Sequence, residues 1–184
     1  MKKLLKFFLF FNLIPTLTFS CSDINNITGI KVSETISSNS LKDKLNPNFI
    51  KKLSSVNIYL TEEEQAKAIN LLKVKAIAEW TPGPENNSKL NLEKHFLKHG
   101  KDFKPPFKNS QEYLLSAVNA ANSTSLESNY YFDVKYYKDN KIVSFIKWNS
   151  KTYELTVTRE NGQIATYFLD NKINSSRFIL YPRD

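Results

Sequence analysis

The chain changes its hydrophobic pattern near Asn129, and this change restricts the folds that it can adopt. Before Asn129, apolar residues recur at spacings of three and four, as on one face of a helix. After it, β-branched and aromatic residues alternate with polar ones, as in half-buried strands. Helices first and strands afterwards are typical of an α+β fold. We therefore predict two to three N-terminal helices packed on one face of a four- to five-stranded antiparallel meander sheet.

Three helices are predicted before this change. The first begins at Thr61, because Thr61-Glu62-Glu63-Glu64 has the form of a capping box, and it ends before the Pro-Gly-Pro loop at 82–84. The second runs from a cap at Ser88 to Gly100, since glycine commonly ends helices. The third spans about 110–122, after Pro105-Pro106. The apolar stretch at 56–60 is either an extra strand or a lead into the first helix.

Four strands are predicted at residues 130–137, 141–148, 152–158 and 163–169. Short polar stretches separate them, and Asn161-Gly162 is the strongest hairpin signal in the chain. Residues 177–181 are a candidate fifth strand at an edge, which Pro182 ends. Strands joined by tight turns indicate an antiparallel meander.

Residues 1–20 have the pattern of a secretory signal peptide. Lys2, Lys3 and Lys6 precede an apolar run at 7–14, and small or hydroxyl-bearing residues then lead to Cys21. The apolar run is too short for a membrane-spanning helix. We therefore expect export, with residues 1–20 removed.

Cys21 is the only cysteine in the chain, so an intramolecular disulfide is impossible. It follows Thr18-Phe19-Ser20, and this segment resembles the relaxed lipobox of spirochaete lipoproteins. The resemblance implies cleavage before Cys21 and acylation of that residue, with palmitate among the acyl groups. The protein would then be held at the outer membrane or cell surface rather than at the inner membrane. The alternatives are an ordinary signal peptide that leaves a free thiol, and an uncleaved anchor.

The residues from Cys21 onward divide into a tether and one folded domain. Residues 21–55 are rich in Ser, Asn, Lys and Thr without a sustained period, which is typical of a flexible tether. Residues 56–184 suffice for one domain with a real core, but not for two.

Both histidines of the chain, His95 and His99, fall in the second predicted helix. Their spacing of four places them one turn apart on one flank, with Lys98 beside them toward solvent. An imidazole exchanges protons near neutral pH, and the adjacent ammonium group could hold a phosphate. The structural alternative is a helix-end cation and a half-covered ring. Zinc binding is a third interpretation, although the helix lacks the glutamate of an HExxH motif.

Three sequence signals occur in an order that is known from a protein family. They are the segment KHFLKHGKDF at 94–103, a following helix that contains Tyr113, and a final strand with Thr166-Tyr167-Phe168. In this order they resemble the C-terminal ribonuclease domains of bacterial polymorphic toxins, the group that includes barnase, EndoU, colicin D and RelE-like nucleases. The resemblance covers about 87–169.

This resemblance implies RNA cleavage without a metal or another cofactor. A base takes the 2′-hydroxyl proton, an acid protonates the leaving oxygen, and cations stabilise the phosphorane. It implies His95 or His99 as acid or base and Lys98 as the phosphate stabiliser, with Thr166 and Tyr167 matching the terminal strand motif. We add Arg159 as a second cation. The segment departs from the family pattern at Lys104-Pro105-Pro106, and toxins of this group act without a membrane anchor.

The alternative function is a non-catalytic surface lipoprotein that binds RNA, an acidic glycan, or a host or envelope protein. Removing residues 1–20 takes away three lysines and lowers the formal net charge from +8 to +5, which permits such a partner without requiring it. The expected contact surface is a basic, aromatic-rich sheet, whose candidates are Tyr130, Tyr131, Tyr136, Tyr137, Trp148, Lys135, Lys138, Lys141 and Lys147. An enzyme instead requires that His95, His99 and Lys98 share a cleft with Arg159 or Tyr167.

Overall fold

The structure is a computed structural model that describes residues 44–183. Cys21, the predicted signal peptide and most of the predicted tether lie outside the described residues. The described part has five α-helices, one 3-10 helix and five strands, and this composition confirms the α+β class. In chain order they are α1 (Pro47–Ser54), α2 (Glu62–Lys73), α3 (Ser88–His99), the 3-10 helix (Gly100–Asp102), α4 (Ser110–Asn122), β1 (Ser128–Asp133), α5 (Val134–Asn140), β2 (Phe145–Asn149), β3 (Glu154–Thr158), β4 (Ile164–Leu169) and β5 (Phe178–Leu180).

The five strands form one antiparallel sheet in the order β4-β3-β2-β1-β5. β1 to β4 are neighbours in chain order, as a meander requires, and β5 pairs with the other side of β1. At the predicted hairpin, Gly162 has a φ of 85° and its amide donates to the carbonyl of Arg159 at 2.9 Å. The meander, the hairpin and the edge strand are therefore confirmed.

The first predicted strand, 130–137, is wrong in its second half. β1 ends at Asp133, and residues 134–140 form α5. The carboxylate of Asp133 caps this helix by accepting from the Tyr136 amide at 2.9 Å. Val134 and Tyr137, three residues apart, are both buried, and a strand would place them on opposite faces. β1 and β2 are therefore joined by a helix rather than by a tight turn.

The predicted tether extends too far along the chain. Its last residues form α1, with the Asn46 side chain as cap and Pro47 at the first helical position. Phe49 and Leu53, one turn apart, are 0% and 1% exposed. Since these side chains belong to the main core, the folded domain begins before residue 56. Residues 56–60 form no strand and lead into α2, with Ile58 buried.

The first long helix is shorter than predicted. α2 has the predicted capping box at Thr61 but ends at Lys73, and the backbone is extended at Val74. Trp80, predicted to lie on this helix, instead forms a parallel bridge with Ile164 at the outer edge of β4. The amide of Ile164 donates to the carbonyl of Glu79 at 2.9 Å. The segment 77–81 therefore covers the start of an edge strand that would otherwise present unpaired backbone groups.

The main helices cover one face of the sheet in two groups. α1 and α2 pack where Phe49 meets Phe132 and Phe145, in one buried cluster. α3 and α4 pack over β3 and β4, where Tyr113 and Tyr167 belong to a second cluster. A third cluster lies on the opposite face, where it includes buried and half-buried residues of β1 to β4: Tyr131, Ile146, Trp148, Leu155, Val157 and Phe168.

Candidate functional site: a histidine pair and a basic pocket

The histidine pair lies where α3 meets the edge of the sheet. The ring centroids of His95 and His99 are 6.1 Å apart, as expected for one helical turn. His95 packs against Trp80 with a centroid distance of 5.0 Å, and His99 stacks on Phe168 at 5.3 Å. Both imidazoles therefore have an aromatic neighbour on one side.

Burial lowers the pKa of both histidines below the ordinary value. The charges of His99 and Lys98 lower the pKa of His95 further. Lys98 also lowers the pKa of His99, whose Nδ1 lies 3.8 Å from an Asp102 oxygen that acts in the opposite direction. The buried Nδ1 of His95 forms no hydrogen bond with any residue that the structure describes, which disfavours a proton there. Both lowered pKa values favour the neutral form of the ring.

Tyr167, a predicted catalytic residue, is a core side chain. It is 0% exposed, and its hydroxyl hydrogen-bonds with Ser116 at 2.9 Å and with Glu154. Burial raises its pKa far above the ordinary tyrosine value. The Tyr113 hydroxyl donates to the backbone carbonyl of Tyr167, so this part of β4 is fixed to α4. Tyr167 therefore cannot contact RNA.

Arg159 and Thr166 do not complete a site with the histidines. Arg159 is exposed at the turn between β3 and β4 and lines a cavity of about 360 Å³ with Lys67, Ile142 and Glu160, among others. That cavity contains neither histidine. Thr166 is half-buried on β4, opposite Val157. The structure thus keeps His95, His99 and Lys98 on one helix but does not join them to the remaining predicted residues.

A second arrangement, which we name the basic pocket, lies between the end of α2, the end of α4 and the last residues of the chain that the structure describes. Its volume is about 360 Å³. Lys73, Lys75, Lys147 and Arg183 contribute cations, and none of the lining residues that the structure describes is an aspartate or a glutamate. Other lining residues include Ser123, Thr124, Ser128, Tyr130 and Tyr181.

Lys147 forms the inner wall of the basic pocket. β2 directs it to the same face as Phe145, so its stem runs beneath the end of α4. Its ammonium donates to the carbonyl of Ala121 at 2.9 Å and to that of Ser123. It also lies 5.2 Å from the centroid of the Tyr130 ring. A cation at these terminal carbonyls stabilises the C-terminal end of α4.

The charge of Lys147 is destabilised by its surroundings in the basic pocket. The pKa of Lys147 is lowered to about 8, first by burial and then by Arg183 and Lys75. Arg183 is held near the pocket because its guanidinium donates to the carbonyl of Ser125 at 2.6 Å. An anion placed among these groups would relieve their repulsion and favour the protonated lysine. The arrangement is therefore suited to binding an acidic group.

The predicted basic, aromatic sheet is not one surface. Lys135, Lys138 and Lys141 belong to α5 or its end rather than to strands. Tyr137 is buried, Tyr136 lies on α5, and Tyr131 and Trp148 are on the sheet face opposite the helices. Only Tyr130 and Lys147 of the predicted set line the basic pocket. Alternation along β2 could have separated Lys147 from the other lysines, because it shares the face of the apolar Phe145.

The chain matches no protein-family model, no curated protein and no solved structure. Within residues 44–183, no helix has both the length and the apolar character needed to cross a membrane. No group of three or more His, Cys, Asp or Glu side chains in this same part of the chain could hold a metal ion.

Proposed function

We propose that this protein is an exported lipoprotein, anchored through a lipid on Cys21, whose domain binds an acidic ligand in the basic pocket. One observation carries the binding function: four cationic side chains, Lys73, Lys75, Lys147 and Arg183, line a cavity, and no carboxylate of residues 44–183 lines it. Charged groups of one sign in a partly desolvated cavity attract ligands of the opposite sign. In this proposal the lipid sets the location, and the pocket provides the recognition.

The proposed anchor rests on the sequence before residue 44. A basic start, a short apolar run and a lone cysteine directly after them form the pattern of a lipoprotein signal. Several acyl chains on one residue would give stable anchoring, since each buried methylene contributes about 0.8 kcal/mol. The test is fractionation of cells that express the chain or its Cys21→Ala variant. The parent should enter the membrane fraction and incorporate labelled palmitate, and the proposal of an anchor fails if the variant does both equally well.

The binding function can be tested with the full-length protein in a neutral detergent. Hexuronic acids, inorganic phosphate and a sulfated polysaccharide are added separately, and thermal unfolding is measured. At least one acidic compound should raise the unfolding temperature, because it binds the folded state alone. Glucose, which has no charge, should not. If no acidic compound shifts the transition, the binding function is wrong.

A metal-independent ribonuclease is the second candidate, favoured by the position of the exposed Lys98 beside two imidazoles whose pKa is lowered. It would have to act without Arg159 and Tyr167, because neither shares a cleft with the histidines. A neutral imidazole can accept a proton, as the base step requires. Its test is cleavage of RNA by the full-length protein with EDTA present, beside a His95→Ala/His99→Ala variant whose folding is checked by circular dichroism. Cleavage that only the parent performs would support the enzyme. A folded but inactive parent would exclude it.

A further inference from the structure

We infer that the ligand of the basic pocket is a small sugar acid, with one carboxylate and several hydroxyl groups, rather than an acidic polymer. This inference rests on the proposed binding function and specifies its ligand. Three features of the pocket support it: its size, the placement of its cations, and the hydrogen-bond acceptors beside them.

The size favours a small molecule. A volume of about 360 Å³ is near the lower end of the range of roughly 300–1,000 Å³ that is usual for small-ligand sites. The basic surface is also bounded, because Glu127 lies at the Arg183 side. The Glu127 carboxylate accepts from the Ser125 hydroxyl, and Arg183 donates to the carbonyl of the same serine. A polyanion that extended past Arg183 would meet this negative charge.

The cations leave room for one acidic group. An ammonium has three N–H donors, and Lys147 uses two of them on the carbonyls of Ala121 and Ser123. The third remains for a ligand. Lys73 ends α2, Lys75 follows it, and Arg183 follows β5, so the exposed cations approach from two different parts of the chain. A carboxylate can therefore accept from the inner ammonium while it remains close to the outer charges.

The acceptors beside these cations favour a ligand that also donates hydrogen bonds. Each carbonyl oxygen that Lys147 contacts has a second lone pair, and the exposed Thr124, which lines the pocket, carries a hydroxyl group. The hydroxyl groups of a sugar are donors for such positions. A bare phosphate brings more negative charge near the same carbonyl oxygens and offers them fewer donors. In a carboxylated sugar, the carboxylate can bind to the cations and the hydroxyl groups can donate to the acceptors.

The test is calorimetric titration of the full-length protein in detergent with glucuronate and galacturonate, and with glucose as the uncharged control. The Lys75→Gln/Arg183→Gln variant removes two of the three exposed cations that line the pocket, without touching the helix-capping Lys147. The Lys135→Gln/Lys138→Gln variant removes two exposed cations from α5 and has the same net charge. We expect the pocket variant to lose at least tenfold in affinity for the uronates, the α5 variant to lose less than twofold, and glucose not to bind.

Equal affinities of the two variants would overturn the inference, because binding would then follow net charge alone. Binding of heparin without binding of either uronate would also overturn it, yet would leave the proposed function in place. If neither heparin, phosphate nor a uronate binds, both conclusions fall. A thermal unfolding scan of each variant separates weakened binding from a loss of folding.

Discussion

At the scale of single residues, the titrating groups determine how the protein responds to pH. His95 and His99 have pKa values below 6.5, so protons bind to them more readily in the unfolded chain than in the folded one. The contribution of their neutral forms to the free energy of unfolding is fully present when the pH is above the pKa of histidine in the unfolded chain. It decreases as the pH falls below that pKa. The histidines therefore make the domain sensitive to mild acid.

We expect the unfolding temperature to fall between pH 7 and pH 5.5, and to fall less in a His95→Gln/His99→Gln variant. Carboxylates titrate mostly below this window, so the difference between the two profiles reports the histidines. Circular dichroism melts at half-unit pH intervals provide the measurement. Parallel profiles for the parent and the variant would contradict the assignment.

Lys147 makes ligand binding sensitive to alkaline pH, whereas the histidines make stability sensitive to acid. Since its pKa is lowered to about 8, the ammonium that should hold an anion is lost as the pH rises through that value. We expect the affinity for an acidic ligand to fall several-fold between pH 7 and pH 9, measured by calorimetry. A Lys147→Met variant that remains folded should bind weakly at both pH values. The same pH profile in parent and variant would exclude Lys147 as the titrating group.

At the scale of secondary structure, α1 is an element that local sequence patterns do not predict. Its eight residues contain few apolar positions, and the segment before it is polar, so no sustained hydrophobic period predicts the helix. Its formation depends on Phe49, whose ring lies 5.0 Å from that of Tyr181 and 5.9 Å from that of Phe132. These partners are far away in sequence and become visible only in the folded chain.

Replacing Phe49 with alanine should reduce the free energy of unfolding by about 3–5 kcal/mol, because a fully buried ring leaves a cavity. Lys51→Ala, on the exposed side of the same helix, should change it by less than about 0.5 kcal/mol. Urea unfolding of both variants measures the difference. Similar small effects would place α1 outside the cooperative core.

The same dependence on distant partners explains which parts of the site could be predicted. Hydrophobic alternation and Asn161-Gly162 were sufficient to predict β2, β3 and β4 and the hairpin between β3 and β4, because those signals are local. The end of β1 could not be predicted from local signals, because Asp133 caps α5 and also pairs with Arg177, 44 residues later. The burial of Tyr167 could not be predicted either. Alternation shows that one side of β4 faces inward, but it does not show that α4 covers that side.

At the scale of the whole molecule, the two helix groups and the sheet depend on one another. α1 and α2 fill the core over β1 and β2, whereas α3 and α4 fill the core over β3 and β4. The basic pocket is lined from α2, α4, β1, β2 and the final residues. The segment of about 87–169 contains only one of the two helix groups.

We expect a fragment of residues 44–184 to unfold cooperatively and a fragment of residues 87–184 to lack a cooperative transition. The shorter fragment exposes the apolar side of β1 and β2 to water, which removes a large part of the hydrophobic stabilisation. Differential scanning calorimetry of both fragments measures this. A sharp transition in the shorter fragment would show that its half of the core is autonomous.

The covered outer edge of β4 would have a consequence if the proposed lipid anchor crowds the protein on a bilayer. An open sheet can grow by pairing its edge with another copy, and anchoring in two dimensions raises the rate of such encounters. Here the segment 77–81 occupies the start of one outer edge, and the other outer strand, β5, has three residues followed closely by Pro182. These edges would therefore disfavour strand-to-strand polymerisation and fibril growth among copies anchored as proposed.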